Sequence, residues 1–321
     1  MAVYTEVSDE ELLAFLARYE LGRLLSCKGI AEGVENSNYF LHLESGYYIL
    51  TLYEKRVAEG DLPFFLSLME HLSAQGVSCP LPVRDREGKA LGRLVGRPAA
   101  IVTFLEGYAV HHPDARQCEA LGGAMAKLHL AGAGFGMSRA NALSLDGWRA
   151  LFASHEREAD GVEPGMAALI AAELATLAEN WPADLPRGVI HADLFPDNVF
   201  FIGDRVSGLI DFYFACRDAL AYDLAISVNA WCFDAEWRYV PAKGRALIQA
   251  YHRLRPLEAR ELSAFPILAR GAALRFLLTR FVDALSVPEG ALVRPKDPRE
   301  YLAKLKFHRG TTDVRDYGLE L

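Results

Sequence analysis

Apolar residues recur along this chain with two different periods, and the period changes near residue 104. In the first hundred residues, period-two runs at 23–30, 38–43 and 47–53 read as β-strands, with Glu44-Ser45-Gly46 as the turn between the last two. Ser8-Asp9-Glu10-Glu11 is a capping box that opens a helix through Tyr19, and a second helix runs over 62–75 and ends at Gly76. Cys79-Pro80-Leu81-Pro82 forms an extended link to further strands around Val83, Leu94 and 99–104. Beyond Gly107 helical periodicity dominates, over 115–130, 144–158, 166–180, 222–232, 244–254 and 259–285. Short strands at 189–190, 199–202 and 206–210 interrupt that series, and the tail after Val287 reads as loop. The pattern predicts a two-lobed α+β protein, with a β-rich lobe over 1–104 and a mainly helical lobe over 105–321. The cleft between two such lobes is the expected place for a ligand.

The composition narrows the range of partners. Of 321 residues, 51% are hydrophobic and 24% charged, the balance of a soluble globular protein. A net charge of −8 argues against nucleic acid or an anionic membrane as the main partner. It leaves room for an anionic small molecule held locally by backbone N–H groups and a metal. The five cysteines, at 27, 79, 118, 216 and 232, include no C-x-x-C pair. Neither a zinc site nor a disulfide framework is expected, and reduced, buried thiols suit the cytoplasm. The N-terminus is acidic and has no apolar signal region, and the most apolar stretch, 267–285, is broken by Arg270, Arg275, Arg280 and Asp283. A cytoplasmic protein is the expectation.

The strongest chemical signal lies between two of the short strands. His191, Asp193 and Asn198 stand at the spacing H-x-D-x-x-x-x-N, and Asp211 follows Asn198 by 13 residues at the end of the next apolar run. That arrangement suits phosphoryl transfer from a metal-bound nucleotide: one Asp orients the attacking hydroxyl, and an Asn and a second Asp hold Mg²⁺ on the phosphates. An Asp is a weak base, yet it can accept a hydroxyl proton late in a loose transition state, where position matters more than basicity. Asp, Asn and Pro also populate turns for purely local reasons. That explanation covers any one of them, but not their joint spacing between apolar strands. His191 is read as bracing the loop by hydrogen bonding.

With these residues the chain resembles the aminoglycoside phosphotransferase and choline kinase superfamily, small-molecule relatives of the protein kinases. The shared motifs are His191-Ala-Asp193 with Asn198, Ile210-Asp211, and Tyr222-Asp-Leu-Ala225. Asp223 in the last matches a position that tends to be structural in relatives, and a helix N-terminal charge is the alternative. Stretches 33–39, 49–55, 62–65, 104–107, 128–132 and 147–149 resemble bacterial homoserine kinases within this group. The resemblance implies a protein-kinase-like fold, ATP and Mg²⁺ as co-substrate and cofactor, and phosphorylation of the L-homoserine hydroxyl on the route to threonine. The alternatives are choline, ethanolamine, methylthioribose or an aminoglycoside as substrate, or a nucleotide-binding pseudokinase. It assigns Asp193 as catalytic, Asn198 and Asp211 as metal ligands, a phosphate loop with Gly33, Asn36 and Ser37, and an adenine hinge at Thr103–Leu105.

Two departures stand out. The loop is not G-x-G-x-x-G, and Thr51 occupies the place where relatives often carry the phosphate-binding Lys of the third strand. Lys55 shares its face by strand parity but is displaced by about 13 Å, with Glu59 or Glu70 as the carboxylate that would pair it. Gly132-Ala-Gly-Phe-Gly136 fails the dinucleotide pattern and is read as a helix-terminating loop. No G-x-x-x-x-G-K-[ST] occurs, which excludes a P-loop enzyme. The arginines of 267–285 are read either as structural ion pairs, such as Arg280 with Asp283, or as ligands for a substrate carboxylate.

Overall fold

The computed structural model describes residues 5–30, 36–54, 57–286 and 295–319. Helix α1 (Asp9–Leu16) begins with the expected capping box: Glu11 N–H donates to Ser8 Oγ, and Ser8 N–H donates to the Glu11 carboxylate. It stops short of Tyr19 because its final turn tightens into i→i+3 bonds at Arg18 and Tyr19. Strands β1 (Leu24–Gly29), β2 (Ser37–Leu43), β3 (Gly46–Leu52), β4 (Gly92–Leu94) and β5 (Arg97–Thr103) form an antiparallel sheet in the order β1-β2-β3-β5-β4. Side-chain alternation gives this sheet two apolar faces. Leu41, Leu43, Leu50, Leu52, Ala99 and Ile101 pack with Leu12, Phe15 and Leu16 of α1 in a small core. Ala100, Val102, Tyr53 and the half-buried Ile49 join the larger core on the other side, with Phe64, Phe65 and Leu68 of α2 (Leu62–Ala74). Parity puts Thr51 on this second face, toward the helical lobe.

The helical lobe carries β6 (Tyr108–Ala109), α3 (Ala115–Ala131), α4 (Leu145–His155), α5 (Met166–Asn180), β7 (Arg187–Ile190), β8 (Val199–Ile202) and β9 (Arg205–Leu209). β10 (Cys216–Ala219), α6 (Leu220–Trp231), α7 (Pro241–Leu254), α8 (Ala259–Leu285) and α9 (Pro298–Arg309) complete it. The strands form two small antiparallel sheets, β6-β8-β9 and β10-β7. This is a kinase-like architecture of a β-rich lobe and a mainly helical one. Gly132–Gly134 is a 3₁₀ turn that ends α3, as expected of that glycine-rich stretch.

Three elements depart from expectation. The segment from 216 to 219, Cys-Arg-Asp-Ala, has no strand composition but pairs with β7, Cys216 opposite Ile190. Residues 144–158 do not make one helix; α4 ends at His155 and a 3₁₀ segment, Glu156–Gly161, follows. The tail contains a helix where loop was expected: α9 is opened by Asp297 and Pro298 and buries Tyr301, Leu302, Leu305 and His308 against the core. Its Lys304 is buried too, with Nζ donating to Asn229 O (2.8 Å) and Glu300 Oε1 (2.5 Å). Helix α8 is long and apolar enough to cross a membrane, but 72% of its most apolar window is buried inside the protein. It is the central core helix.

Helices α3 and α7 approach so closely at Gly122 that a Cβ there would sit 2.2 Å from the Leu247 carbonyl oxygen and 3.0 Å from Ala250 Cβ. Backbone cannot yield as a side-chain tip can, so Gly122→Ala is expected to cost about 1–3 kcal/mol of stability. Urea denaturation measures this, and an unchanged midpoint would contradict the close packing.

Candidate active site

The turn between β7 and β8 is held from four directions. Its centre is Ala192, one of the few non-glycine residues with a left-handed backbone (φ 63°) among the described residues. For an L-residue that conformation costs about 1–2 kcal/mol, so it persists only where the surroundings impose it. Here they do. The carboxylate of Asp223, fully buried in the first turn of α6, accepts from His191 N–H (2.9 Å) and Ala192 N–H (2.8 Å). His129 on α3 adds a third bond, Nε2 to Asp223 Oδ2 at 3.0 Å, and its Nδ1 meets the Tyr251 hydroxyl at 2.7 Å. Burial alone would push the Asp223 carboxyl up, but the bonds and charge of its partners hold it below the usual carboxylate range. On the opposite side, Arg275 of α8 donates to Ala192 O (2.7 Å), and Trp231 Nε1 donates to Leu194 O (2.7 Å).

The motif residues converge on one further peptide, that of Ile210. Its N–H donates to Asn198 O (3.0 Å), and its carbonyl meets His191 Nε2 at 2.9 Å. Burial lowers the His191 pKa to about 4, so the ring is neutral at physiological pH and its Nε2–H is the donor. Asn198 directs its side-chain N–H₂ to Asp193, at 2.8 Å from the carbonyl and 3.1 Å from Oδ2. Asp193 itself is half-buried. Asp211 follows Ile210 directly, again left-handed (φ 64°, ψ 62°). Its Oδ1 is cut off from water with no hydrogen-bond partner, and burial raises its pKa to about 6.

That orphaned oxygen tests the metal reading. A buried carboxylate oxygen lacking a donor costs free energy, and a hard divalent cation is the partner such an oxygen suits. With Asn198 contributing its carbonyl oxygen, the two residues offer a neutral and an anionic oxygen ligand, and they fit such an ion. No group of three or more His, Cys, Asp or Glu that could hold a metal occurs among the described residues. The remaining ligands of an ion here would have to come from outside the protein.

The other expected residues are placed differently. Gly33 and Lys55 lie outside the described residues. The Asn36 and Ser37 side chains, both buried, do not face an open cleft but tie down the end of β3: Glu54 N–H donates to Asn36 Oδ1 (3.2 Å), and Ser37 Oγ donates to Glu54 Oε1 (2.9 Å). At the hinge, Thr103 N–H bonds Leu81 O (3.0 Å), and Phe104 N–H bonds Tyr47 O (3.2 Å). Leu105 makes no backbone hydrogen bond among the described residues, so of the expected stretch its peptide is the open one. Glu59 and Glu70 pair with Arg93 and Arg84 on the surface, not with a cleft lysine.

Thr51 is buried, and its hydroxyl donates to Asn38 Oδ1 on the neighbouring strand (2.8 Å). Beside it, Tyr53 OH and Tyr213 OH lie 3.3 Å apart, which joins β3 to the segment just after Asp211. Sequence reasoning missed these tyrosines and His129, and it singled out Arg275 without its partner at Ala192. Only a three-dimensional juxtaposition distinguishes them from ordinary core residues. Of the three arginines within 267–285, Arg270 forks onto Glu173 (2.6 and 2.8 Å) and Arg280 pairs with Glu300 of α9 (2.5 Å).

Comparison with known proteins agrees with this geometry. A family model described as "Phosphotransferase enzyme family" matches residues 26–257. The chain is 65% identical over 318 residues to a homoserine kinase of Methylobacterium nodulans, covering 99% of each. It is 62% identical over 320 residues to a homoserine kinase of Parvibaculum lavamentivorans, covering 100% of each. Among solved structures, an amicoumacin kinase in complex with AMP-PNP and Ca²⁺ superposes with a TM-score of 0.68 at 14% identity, over 97% of this chain and 93% of the other. A choline kinase from Cryptosporidium parvum Iowa II gives 0.68 at 12% identity, over 94% of each. At such identities these two establish the fold alone.

The buried carboxyl of Asp211, bonded by the Tyr213 backbone but with Oδ1 left without a partner, predicts a pH signature. Its folded pKa, raised to about 6 from an ordinary value near 4, means that the folded chain keeps a proton the unfolded chain has lost between those pH values. Stability from this group therefore falls as pH rises through that window and is lowest above it. Asp211→Asn removes the loss. In EDTA, the variant should melt higher than wild type at pH 8, by on the order of 1 kcal/mol after allowing for partial exposure. At pH 4 the gain should vanish. An equal shift at both pH values would contradict the assigned environment.

Proposed function

Because the chain belongs to the phosphotransferase enzyme family, we propose that it transfers the γ-phosphoryl group of ATP to the side-chain hydroxyl of L-homoserine, yielding O-phospho-L-homoserine and ADP. The observation that carries this reading is identity of 61–65% over essentially the whole chain to proteins named homoserine kinase. The same match supports a place in threonine biosynthesis.

The site chemistry fits. Asp193 is the residue we assign to receive the hydroxyl proton of the substrate. The residue is half-buried, its side chain accepts from the Asn198 amide, and the preceding residue, Ala192, is held at both its N–H and its C=O. Such positioning is the main protein contribution to a loose phosphoryl-transfer transition state. Asn198 and Asp211 are the residues that would hold the divalent cation, which we take to be Mg²⁺. When bound, that ion neutralises phosphate charge and orients the transferred group. His191, neutral and bonded to Ile210 O, braces the loop and carries no proton in the reaction. The open peptide of Leu105 is our choice for the adenine contact, whereas the bonded N–H of Thr103 is closed to it.

At the third-strand position, Thr51 brings no charge to the phosphates. The lobe boundary we adopt falls between residues 104 and 105, at this hinge. All five thiols are free, four of them buried, which fits a reducing cytoplasm.

Asp193→Ala should lower kcat by about three orders of magnitude or more while leaving nucleotide affinity within a few-fold. Steady-state ADP release with homoserine, together with nucleotide titration, measures both. Wild-type turnover in the variant would remove Asp193 from its assigned role. A panel of homoserine, choline, ethanolamine, methylthioribose and an aminoglycoside should show homoserine-dependent ADP release far above the rest. No acceleration by homoserine would refute the substrate assignment.

A further inference from the structure

Arg275 is 1% exposed, at the middle of the central core helix. Unlike Arg270 and Arg280, it has no carboxylate within ion-pair distance among the described residues, and its Nε is buried without a hydrogen-bond partner. Its guanidinium lies over the rings of Phe214 (5.5 Å) and Phe276 (4.6 Å), it donates to the carbonyl of Ala192, and the Tyr222 hydroxyl is close by. A buried guanidinium without an anion is costly, and aromatic faces offset only part of that cost. The nearest compensation lies across a single residue: Asp223 holds the Ala192 N–H while Arg275 holds its C=O. The two opposite charges hold the two flanking peptide groups of the residue that immediately precedes Asp193.

We propose that Arg275 is a positioning residue for phosphoryl transfer. Together with Asp223 it imposes the left-handed conformation of Ala192, and so fixes the direction in which the Asp193 carboxylate leaves the loop. Neither group touches substrate. The two act from α6 and α8, on opposite sides of the turn, so the catalytic geometry depends on the packing of those helices. This rests on the phosphoryl-transfer reading above and adds the residue that aims its proton acceptor.

Arg275→Met keeps volume and stem but removes charge and donors. With full-length protein, Mg·ATP and homoserine, kcat should fall about 100-fold, as expected for an angstrom-scale misplacement of a reacting group. KM for both substrates should stay within about 3-fold. Arg275→Lys keeps the charge on a shorter, single-point donor; it should fold as wild type and lose about 10-fold in kcat at native KM. A folded methionine variant with native kcat would overturn the proposal, since a purely structural role lowers the melting temperature without slowing folded molecules. So would a rise of more than 10-fold in the KM for homoserine at unchanged kcat, which would make Arg275 a substrate contact. If the methionine variant does not fold, the lysine variant decides, and native kcat there overturns the idea. A wild type that phosphorylates no alcohol ends both this proposal and the functional reading; variants as fast as an active wild type end this one alone.

Discussion

The Asp223 carboxylate accepts three hydrogen bonds in a place with no water, two of them from consecutive backbone amides of the turn that carries the motif. Leaving a buried carboxylate unsatisfied costs several kcal/mol, so α6, α3 and the turn are obliged to meet at one geometry. Arg275 imposes the complementary demand from α8 through the Ala192 carbonyl. Strain in the turn is thereby maintained by charge buried in the helical core.

A consistent division of labour follows. The Asp223 carboxylate and both ring nitrogens of His129 are buried and bonded, whereas His191 is bonded through Nε2 and its buried Nδ1 has no partner. The unsatisfied atom among the motif carboxylates is Asp211 Oδ1, and the accessible one is the carboxylate of Asp193. A structural network removes unpaired polar groups wherever it can. Among the orphaned side-chain atoms of the described residues, Asp211 Oδ1 is the one carboxylate oxygen, the kind of atom a cation would satisfy.

The two lobes meet through an ion pair, Arg139 with Asp61 (2.6 Å), and through neutral groups. Thr51, Asn38, Tyr53 and Tyr213 make a contact of hydroxyl and amide groups where a charged strand residue would be usual in relatives. Hydroxyl contacts of this length are individually weak. The Tyr53–Tyr213 contact links the residue after β3 to the segment following Asp211.

The order of strands and helices, the capping box at Ser8, and the His191, Asp193, Asn198 and Asp211 set were legible in the chain, because each rests on local periodicity or on fixed spacing within one turn. Helix α9 was not, since its basic residues dilute an apolar stripe that becomes evident only once Lys304 is seen buried against Glu300 and Asn229. Strand β10 was hidden because Arg217 and Asp218 enter a sheet only by pairing with β7. The employment of Asn36 and Ser37 in tying down Glu54 was equally invisible. Arg275 looked like any charge on an apolar helix. Which residues share a turn is decided by covalent neighbours, and so by the sequence itself; which buried charge faces Ala192 from 83 positions away is decided by helix packing, and only the tertiary structure settles it.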